Sequence, residues 1–455
     1  MRDRLIEALK KARADYAEVR YAADDATSVT YRGREVENAS TEKRTGGIAR
    51  ACVRGGWATA TFDTLDALEA MLAEACASAA MVGRERTELA ADVAPAAGEY
   101  PAAMERDFRG VALDEKLKLI ERYNGVILGH HESIETSVVA YFDRFRRQHF
   151  ANTRGAYYME DRPQAGVVMV AVARDGALVQ RAHDGWTSAA GYAVAEGREA
   201  DAEALARRAV ELLRAPQPEG GPRTVVLNQQ LGGVFAHEAF GHLSEADFLY
   251  ENPKMRELMR LGRPMGTGEL NIIDDGSLGG LIGTHRYDDE GTPTRRTYLI
   301  RDGVLAGHLH SLETAGKMGA AATGNARAHG RTDVPIVRMT NTYIAPGRRS
   351  FAELIADVDD GLYACDAFGG ETMMEMFTFS AAYAYRIRRG QIGELVRDVV
   401  LTGNVFETLG RMDGFGDDLL IREAAGGCGK GGQGPLPVSF GAPHLRIRDV
   451  IVGGR

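Results

Sequence analysis

Residues 232–247 read GGVFAHEAFGHLSEAD, an apolar, helix-like run in the second half of a 455-residue chain that otherwise alternates there between short strands and glycine-rich turns. Within it, His237-Glu238-Ala239-Phe240-Gly241-His242 sets two histidines around a glutamate, one residue longer than the H-E-x-x-H pattern of zinc proteases. On a regular helix, residues four apart lie ~40° apart around the axis and can share one ion, whereas residues five apart lie ~140° apart and splay. Gly241 suggests how the chain absorbs the extra residue. Glycine is a poor helix former with wide backbone freedom, so the spacing predicts a π-type bulge or kink at or just before Gly241. The two imidazoles would then converge, leaving Glu238 as the general base that activates water on a metal. Charged groups in so apolar a stretch are costly without a partner such as a metal.

Two histidines do not complete a catalytic zinc site, which takes three protein ligands and leaves a position open. Five residues are candidates for the third: Glu245, Asp247, His285, His444 and Cys428. Glu245 and Asp247 are near in sequence, but acids at a helix end are commonly solvated or capping. His285 lies in GTHRYDDEGTP, which suits an ordinary turn. Cys428 sits in AAGGCGKGGQGPLPVSFG, where crowded glycines allow close backbone approach and a thiolate is a good zinc ligand. Packing as a small buried hydrophobe is the competing role for this cysteine. Cys52, Cys76 and Cys365 lie in apolar stretches where packing accounts for them.

Outward from the motif, the chain reads as α+β: an N-terminal α+β domain over residues 1–214, a linker at 215–222 in the proline- and glycine-rich run APQPEGGPR, and a mostly-β C-terminal domain over 223–455 carrying the motif helix. The N-terminal domain opens with an amphipathic helix burying Leu5, Ile6 and Leu9. It continues through alternating strand patterns (TSVTYRGREVENAS, GGIARACVRGGWATATF), a helix with Thr64 as N-cap, and a helix over LDEKLKLIERYNGVIL. Two strand pairs and the helix DAEALARRAVELLRA complete it. After TVVLN, the motif helix is expected to run on until Pro253 ends it. Asp302-Gly303 marks a hairpin.

At 455 residues the chain exceeds one ordinary core. The net charge of -9, without a long basic run, argues against a nonspecific grip on nucleic acid. The start lacks an apolar core of signal-peptide length, and no run approaches the ~20 apolar residues of a membrane span. Four cysteines in so long a chain do not make a disulfide framework, so the cytoplasm is expected.

The segments HEAFGHLSEAD, DDGSLGG, DDEGTPTRRTYLIRDGVLAGHLH, TGNARA, RMTNTYIAPG and CGKGGQGPLPVSFGAPHLRIRDVIVGG, in this order and spacing, resemble the TldD/PmbA family of metallopeptidases, its TldD branch in particular. The likeness covers nearly all of residues 222–455 and is looser before them. It implies a zinc site of His237, His242 and Cys428 with Glu238 as base, which selects Cys428 from the five candidates. It also implies a heterodimer with a PmbA-type (TldE) subunit, or a homodimer, enclosing a cavity that admits unfolded peptides. One run departs from the family pattern: Met373, Met374 and Met376 in YACDAFGGETMMEMFTFS either line an apolar substrate pocket or pack a core strand.

The function expected is a zinc-dependent peptidase acting on unfolded or short peptides, including the maturation of modified precursor peptides. The strand-and-turn texture of residues 271–345 suits an extended substrate that adds as a strand. Two alternatives stand beside it. One is a zinc enzyme of natural-product biosynthesis acting on a small or peptide-conjugated substrate by a non-peptidase reaction. The other is a non-catalytic assembly subunit with structural zinc, although closed structural sites supply four ligands and only three are evident.

Overall fold

A computed structural model describes residues 1–454. The first part of the chain builds one seven-stranded sheet from β1 (Tyr16–Arg32), β2 (Glu35–Val53), β3 (Gly56–Phe62), β4 (Ala97–Tyr100), β5 (Ile134–Asn152), β6 (Tyr157–Asp175) and β7 (Leu178–Ser188). Its order is β3-β2-β1-β5-β6-β4, with β7 also on β6; every pairing is antiparallel except β4 with β6.

The two faces of this sheet do different work. Successive residues of a strand point to opposite sides. Odd positions of β1 and β5 include Val19, Val29, Val139 and Tyr141, all apolar and buried. They lie under four helices: α1 (Arg2–Leu9), α2 (Leu68–Val82), α3 (Leu113–Gly129) and α4 (Glu199–Arg214). Even positions carry Glu18, Arg20, Arg146 and Gln148, which are buried as well, against the rest of the chain. Buried charges persist only when paired. Here Arg50 bonds Glu290 at 2.7 Å, Arg162 bonds Asp289 at 2.8 Å, and Gln148 donates to Asp289 at 2.6 Å.

Beyond residue 220 the main element is a closed barrel. β8 (Gly221–Leu227) pairs in parallel with Asp360–Met373, which pairs with Met376–Arg388, then Val399–Asn404, then Leu445–Gly454, and so back to β8. Closure leaves no free edge around this ring. A second, six-stranded sheet includes Ile272–Asp275, Asn341–Ile344 and Ser439–Ala442. Helix α5 (Gln229–Phe235) lies between the barrel and this sheet. Phe235 meets Phe377 and Phe379 of the barrel at ring-centroid distances of 5.4 and 5.9 Å. On its other side α5 has no room for side chains: a Cβ at Gly232 would stand 2.8 Å from Ala442 Cβ, and one at Gly233 2.8 Å from the Gly441 nitrogen. The two glycines set how closely the motif helix approaches the strand. The fold is therefore α+β, with a β-barrel C-terminal part. No helix among the described residues is long and apolar enough to cross a membrane.

Several local expectations are corrected. Thr64 precedes a 3-10 turn, Leu65–Ala67, and its side chain caps nothing. Pro253 does not end the motif helix. That run is already broken into α5, a π turn, a 3-10 turn and Ala246–Glu251, while Pro253 opens a new short helix capped by Asn252. Proline lacks an N–H, so the first helical position costs it nothing. Met373, Met374 and Met376 do not pack a core strand. They are 73%, 59% and 54% exposed at the tip of the Asp360–Arg388 hairpin. Asp302-Gly303 does turn the hairpin between Arg296–Arg301 and Val304–Leu305, both residues with positive φ.

Candidate metal centre

The site begins at a helix cap. Asn228 follows β8, and its side-chain oxygen accepts the Leu231 N–H at 2.9 Å, which starts α5. The helix continues into a π turn over Ala236–Gly241, where the His242 N–H donates to the His237 carbonyl five residues back. This wider turn brings residues five apart onto one side, as the extra residue in the motif requires. The reason for Gly241 is spatial. Its backbone is ordinary right-handed helix (φ -57°), but a Cβ there would lie 2.0 Å from Met339 Sδ.

The rings of His237 and His242 are 5.2 Å apart. Cys428 joins them from a strand, Cys428–Lys430, that pairs with Gln433–Leu436. The ligand atoms of His237, His242 and Cys428 all lie within 4.8 Å of one another, and Cys428 Sγ is 3.5 Å from His242 Nε2. His237 is 3% exposed, and neither of its ring nitrogens has a hydrogen-bond partner. Leaving two buried polar atoms unsatisfied is costly, and a cation shared with the two neighbours would satisfy one of them. The electrostatics agree. Burial pushes the Cys428 thiol up, but His237 and His242 outweigh it and bring it down to about 4. Burial likewise pulls the His242 imidazolium down, but Glu245 and then Cys428 lift it to about 10. Imidazole and thiolate donors in this number suit zinc.

His242 is oriented from behind. Its Nδ1 lies 3.0 Å from Oε2 of Glu245, leaving Nε2 turned to Cys428. A carboxylate on the far nitrogen fixes tautomer and ring direction in many metal sites. Glu245 is buried; burial raises its carboxyl, yet His242 and Lys430 outweigh this and hold it lowered. Lys430 Nζ reaches Glu245 at 3.0 Å, Asp247 at 2.8 Å and the Val337 carbonyl at 2.8 Å. Buried Arg338 donates to the Cys428 carbonyl at 2.6 Å and so pins the loop. No motif in the sequence marks Lys430 or Arg338. The i,i+3 spacing of His242 and Glu245 was a visible signal, whereas the distance in sequence from Arg338 to Cys428 gave none.

The other third-ligand candidates are engaged elsewhere. Asp247 pairs with Lys430, His285 Nε2 lies 2.9 Å from Arg327, and His444 lies between Asp418 and the Tyr363 hydroxyl. Glu238 stands apart from the three-residue cluster. Its side chain is 32% exposed, and its Oε2 is 3.8 Å from His242 Nε2.

Three family models match the chain: PmbA/TldA metallopeptidase domain 1 over residues 17–79, the central domain over 106–215 and the C-terminal domain over 220–454. A metalloprotease from Synechocystis sp. is 41% identical over 445 residues, covering 98% of this chain and 96% of that protein. A zinc metalloprotease TldD homolog from Saccharolobus solfataricus is 29% identical over 348 residues, 75% of this chain and 76% of that one. Among solved structures, TldE from Thermococcus kodakarensis superposes with a TM-score of 0.77 at 17% identity, covering 100% of both chains. A putative modulator of a DNA gyrase from Thermotoga maritima gives 0.79 at 20% identity, covering 99% of both. The last two speak to the fold alone.

Proposed function

The chain belongs to the PmbA/TldD metallopeptidase family, and from that premise we propose that it is a zinc-dependent peptidase of unfolded or short peptides. His237, His242 and Cys428 are its metal ligands and Glu238 is its base. The observation that carries this reading is buried His237, whose two nitrogens lack partners while it faces His242 and the Cys428 thiolate. Zinc bound there would supply Lewis acidity to polarise a peptide carbonyl. The chain's own residues supply the rest. Glu245 holds His242 in the tautomer whose Nε2 is free to ligate, and Arg338 holds the Cys428 loop in place. Glu238, with a side chain 32% exposed beside the partly exposed His242, is placed to take a proton from water and hand it to the departing amine.

Within the same proposal, residues 215–222 link a domain of residues 1–214 to one of residues 223–455. The protein works in the cytoplasm, consistent with its four free cysteines. It encloses its substrate by pairing with a TldE-type subunit or a second copy; the TldE structure of the same fold supports such a partner. A role in maturing modified precursor peptides falls within this substrate class. The test is cleavage of a permanently unfolded protein by the zinc-loaded enzyme and by Glu238→Gln. Cleavage by the first and not the second is expected; equal cleavage, or none by either, removes the proposal.

A further inference from the structure

On the sheet face that meets the C-terminal half, β5 presents Arg144, Arg146 and Gln148 in a row, since alternate residues of a strand share a side. Two of the three are accounted for. Arg146 grips Asp24 through bonds of 2.7 and 2.8 Å and donates to the His329 carbonyl at 2.9 Å, while Gln148 donates to Asp289. Arg144 has no such arrangement. Its neighbours across the sheet are Ala26 on β1 and Gln164 on β6, neither of them an acid. Its buried Nε has no hydrogen-bond partner, and Asp24, the acid whose charge reaches it, is held by Arg146. Burial and the adjacent Arg146 both work against its charge.

This guanidinium lines a cavity of about 350 Å³. The walls come from both halves of the chain: Phe142 and Gln164 from the sheet, and His329, Gly427 and Pro435 from the C-terminal half. Two acids of the sheet, Glu42 and Asp143, also line it, each already paired with another cation, Arg44 and Lys116. Gly427 directly precedes Cys428, so the loop that carries the third ligand also bounds this cavity. Small-ligand sites span about 300–1,000 Å³ and combine apolar walls with a few fixed polar groups. This cavity is at the low end, the size of a residue or two of peptide. Its one unpaired cation has the planar fork that binds a carboxylate through two hydrogen bonds.

We propose that this cavity is a carboxylate-recognition subsite for the peptide substrate, with Arg144 binding the carboxylate and the Cys428 loop as a wall. The inference rests on the peptidase reading of the metal centre. A free C-terminus and an acidic side chain offer the same chemistry, and either would pair with Arg144, whose buried Nε has no partner and which none of the cavity's own acids bonds.

The experiment is binding, so that it does not depend on turnover. Calorimetry on the zinc-loaded Glu238→Gln protein compares one short peptide as its free acid, as its C-terminal amide, and as the amide with one internal glutamate. The free acid or the glutamate peptide should bind at least tenfold tighter than the neutral amide, and which of them does identifies the source of the carboxylate. Arg144→Gln should abolish the difference and Arg144→Lys should restore part of it, with zinc content unchanged in both. Equal binding of all three peptides overturns the proposal, and so does a preference that survives Arg144→Gln. The comparison on the Arg144-intact protein decides the matter even where Arg144→Gln fails to fold. Acetate or inorganic phosphate competing as strongly as the peptide acid would reduce the cavity to a plain anion site and overturn the substrate assignment. Absence of peptide cleavage by the wild-type enzyme would sink the peptidase reading without altering these binding results.

Discussion

Cys428 Sγ lies 3.5 Å from His242 Nε2 although the two residues are 186 positions apart in sequence. Because the thiol comes from the short strand Cys428–Lys430 and the imidazole from the 3-10 turn that follows the π turn, a metal held by both would tie the glycine-rich C-terminal segment to the motif helix. The chain should therefore hold about one zinc per molecule, and His237→Ala or Cys428→Ala should each remove it. Elemental analysis finding full zinc in Cys428→Ala would exclude the thiolate as a ligand.

Glu238 is expected to be dispensable for zinc and required for turnover. Its carboxylate is outside the ligand cluster and partly open to solvent, where water and substrate arrive. Replacement by glutamine keeps the shape and removes the base, so activity should fall by ~10²-fold or more with zinc content intact. Near-full activity in Glu238→Gln would contradict the role assigned to it.

Glu245, 3.0 Å from His242 Nδ1, would act on a bound metal through that histidine. Removing its charge by Glu245→Gln should weaken zinc affinity by roughly 10–100-fold, as for other carboxylates behind a ligating histidine. Competition with a chelator of known affinity measures this directly. An unchanged dissociation constant would mean that the His242 ring is fixed by packing alone.

Gly241 is required for space. A Cβ at this position meets buried Met339 Sδ at 2.0 Å. Gly241→Ala should cost about 1–3 kcal/mol, typical of overpacking. Met339→Ala in the same background should relieve the clash, so the double variant should lose less stability than the two single losses added together. Denaturant midpoints of the four proteins give the coupling, and simple additivity would show that the contact is not what constrains the site.

Asp289 fastens the C-terminal half to the sheet, and its pH signature has a definite sign. Burial raises its carboxyl, but Arg162 and Arg20, with hydrogen bonds from Gln148 and Ala328, outweigh this and hold it well below the usual carboxylate range. A depressed folded-state value stabilises the fold above the unfolded value of about 3.9. That stability is lost as pH falls below about 4 toward the folded value. Asp289→Asn should thus lower stability at neutral pH, by about 3–5 kcal/mol as for other broken buried pairs, and should flatten the decline below about pH 4. Parallel pH–stability curves for the two proteins would refute this.

Much of the architecture is visible in local pattern. The long strands, the helices α3 and α4, the Asp302-Gly303 hairpin and the interruption in the motif helix follow from periodicity, turn residues and spacing. Where local pattern failed, a tertiary contact prevailed. Beyond the bulge, the motif region reads as a helix running on to Pro253, yet the π turn is followed by a 3-10 turn and a separate short helix, Ala246–Glu251, before that proline. Met373, Met374 and Met376 suit a core strand by pattern, yet they sit at an exposed hairpin tip that only the strand register reveals.

The sequence by itself determined that His237 and His242 flank a glutamate at a spacing no regular helix can reconcile, and that a cysteine waits in a glycine-rich loop far downstream. Only the tertiary structure decided that the loop closes over the π turn, that Glu245 stands behind His242 instead of beside the metal position, and that Arg144 is left without an acid. The physical reason is range. Hydrogen-bonding period and side-chain alternation are set by neighbours within a few residues, whereas ligand geometry and charge compensation depend on which distant segments the barrel and the long sheet bring within a few ångströms of one another.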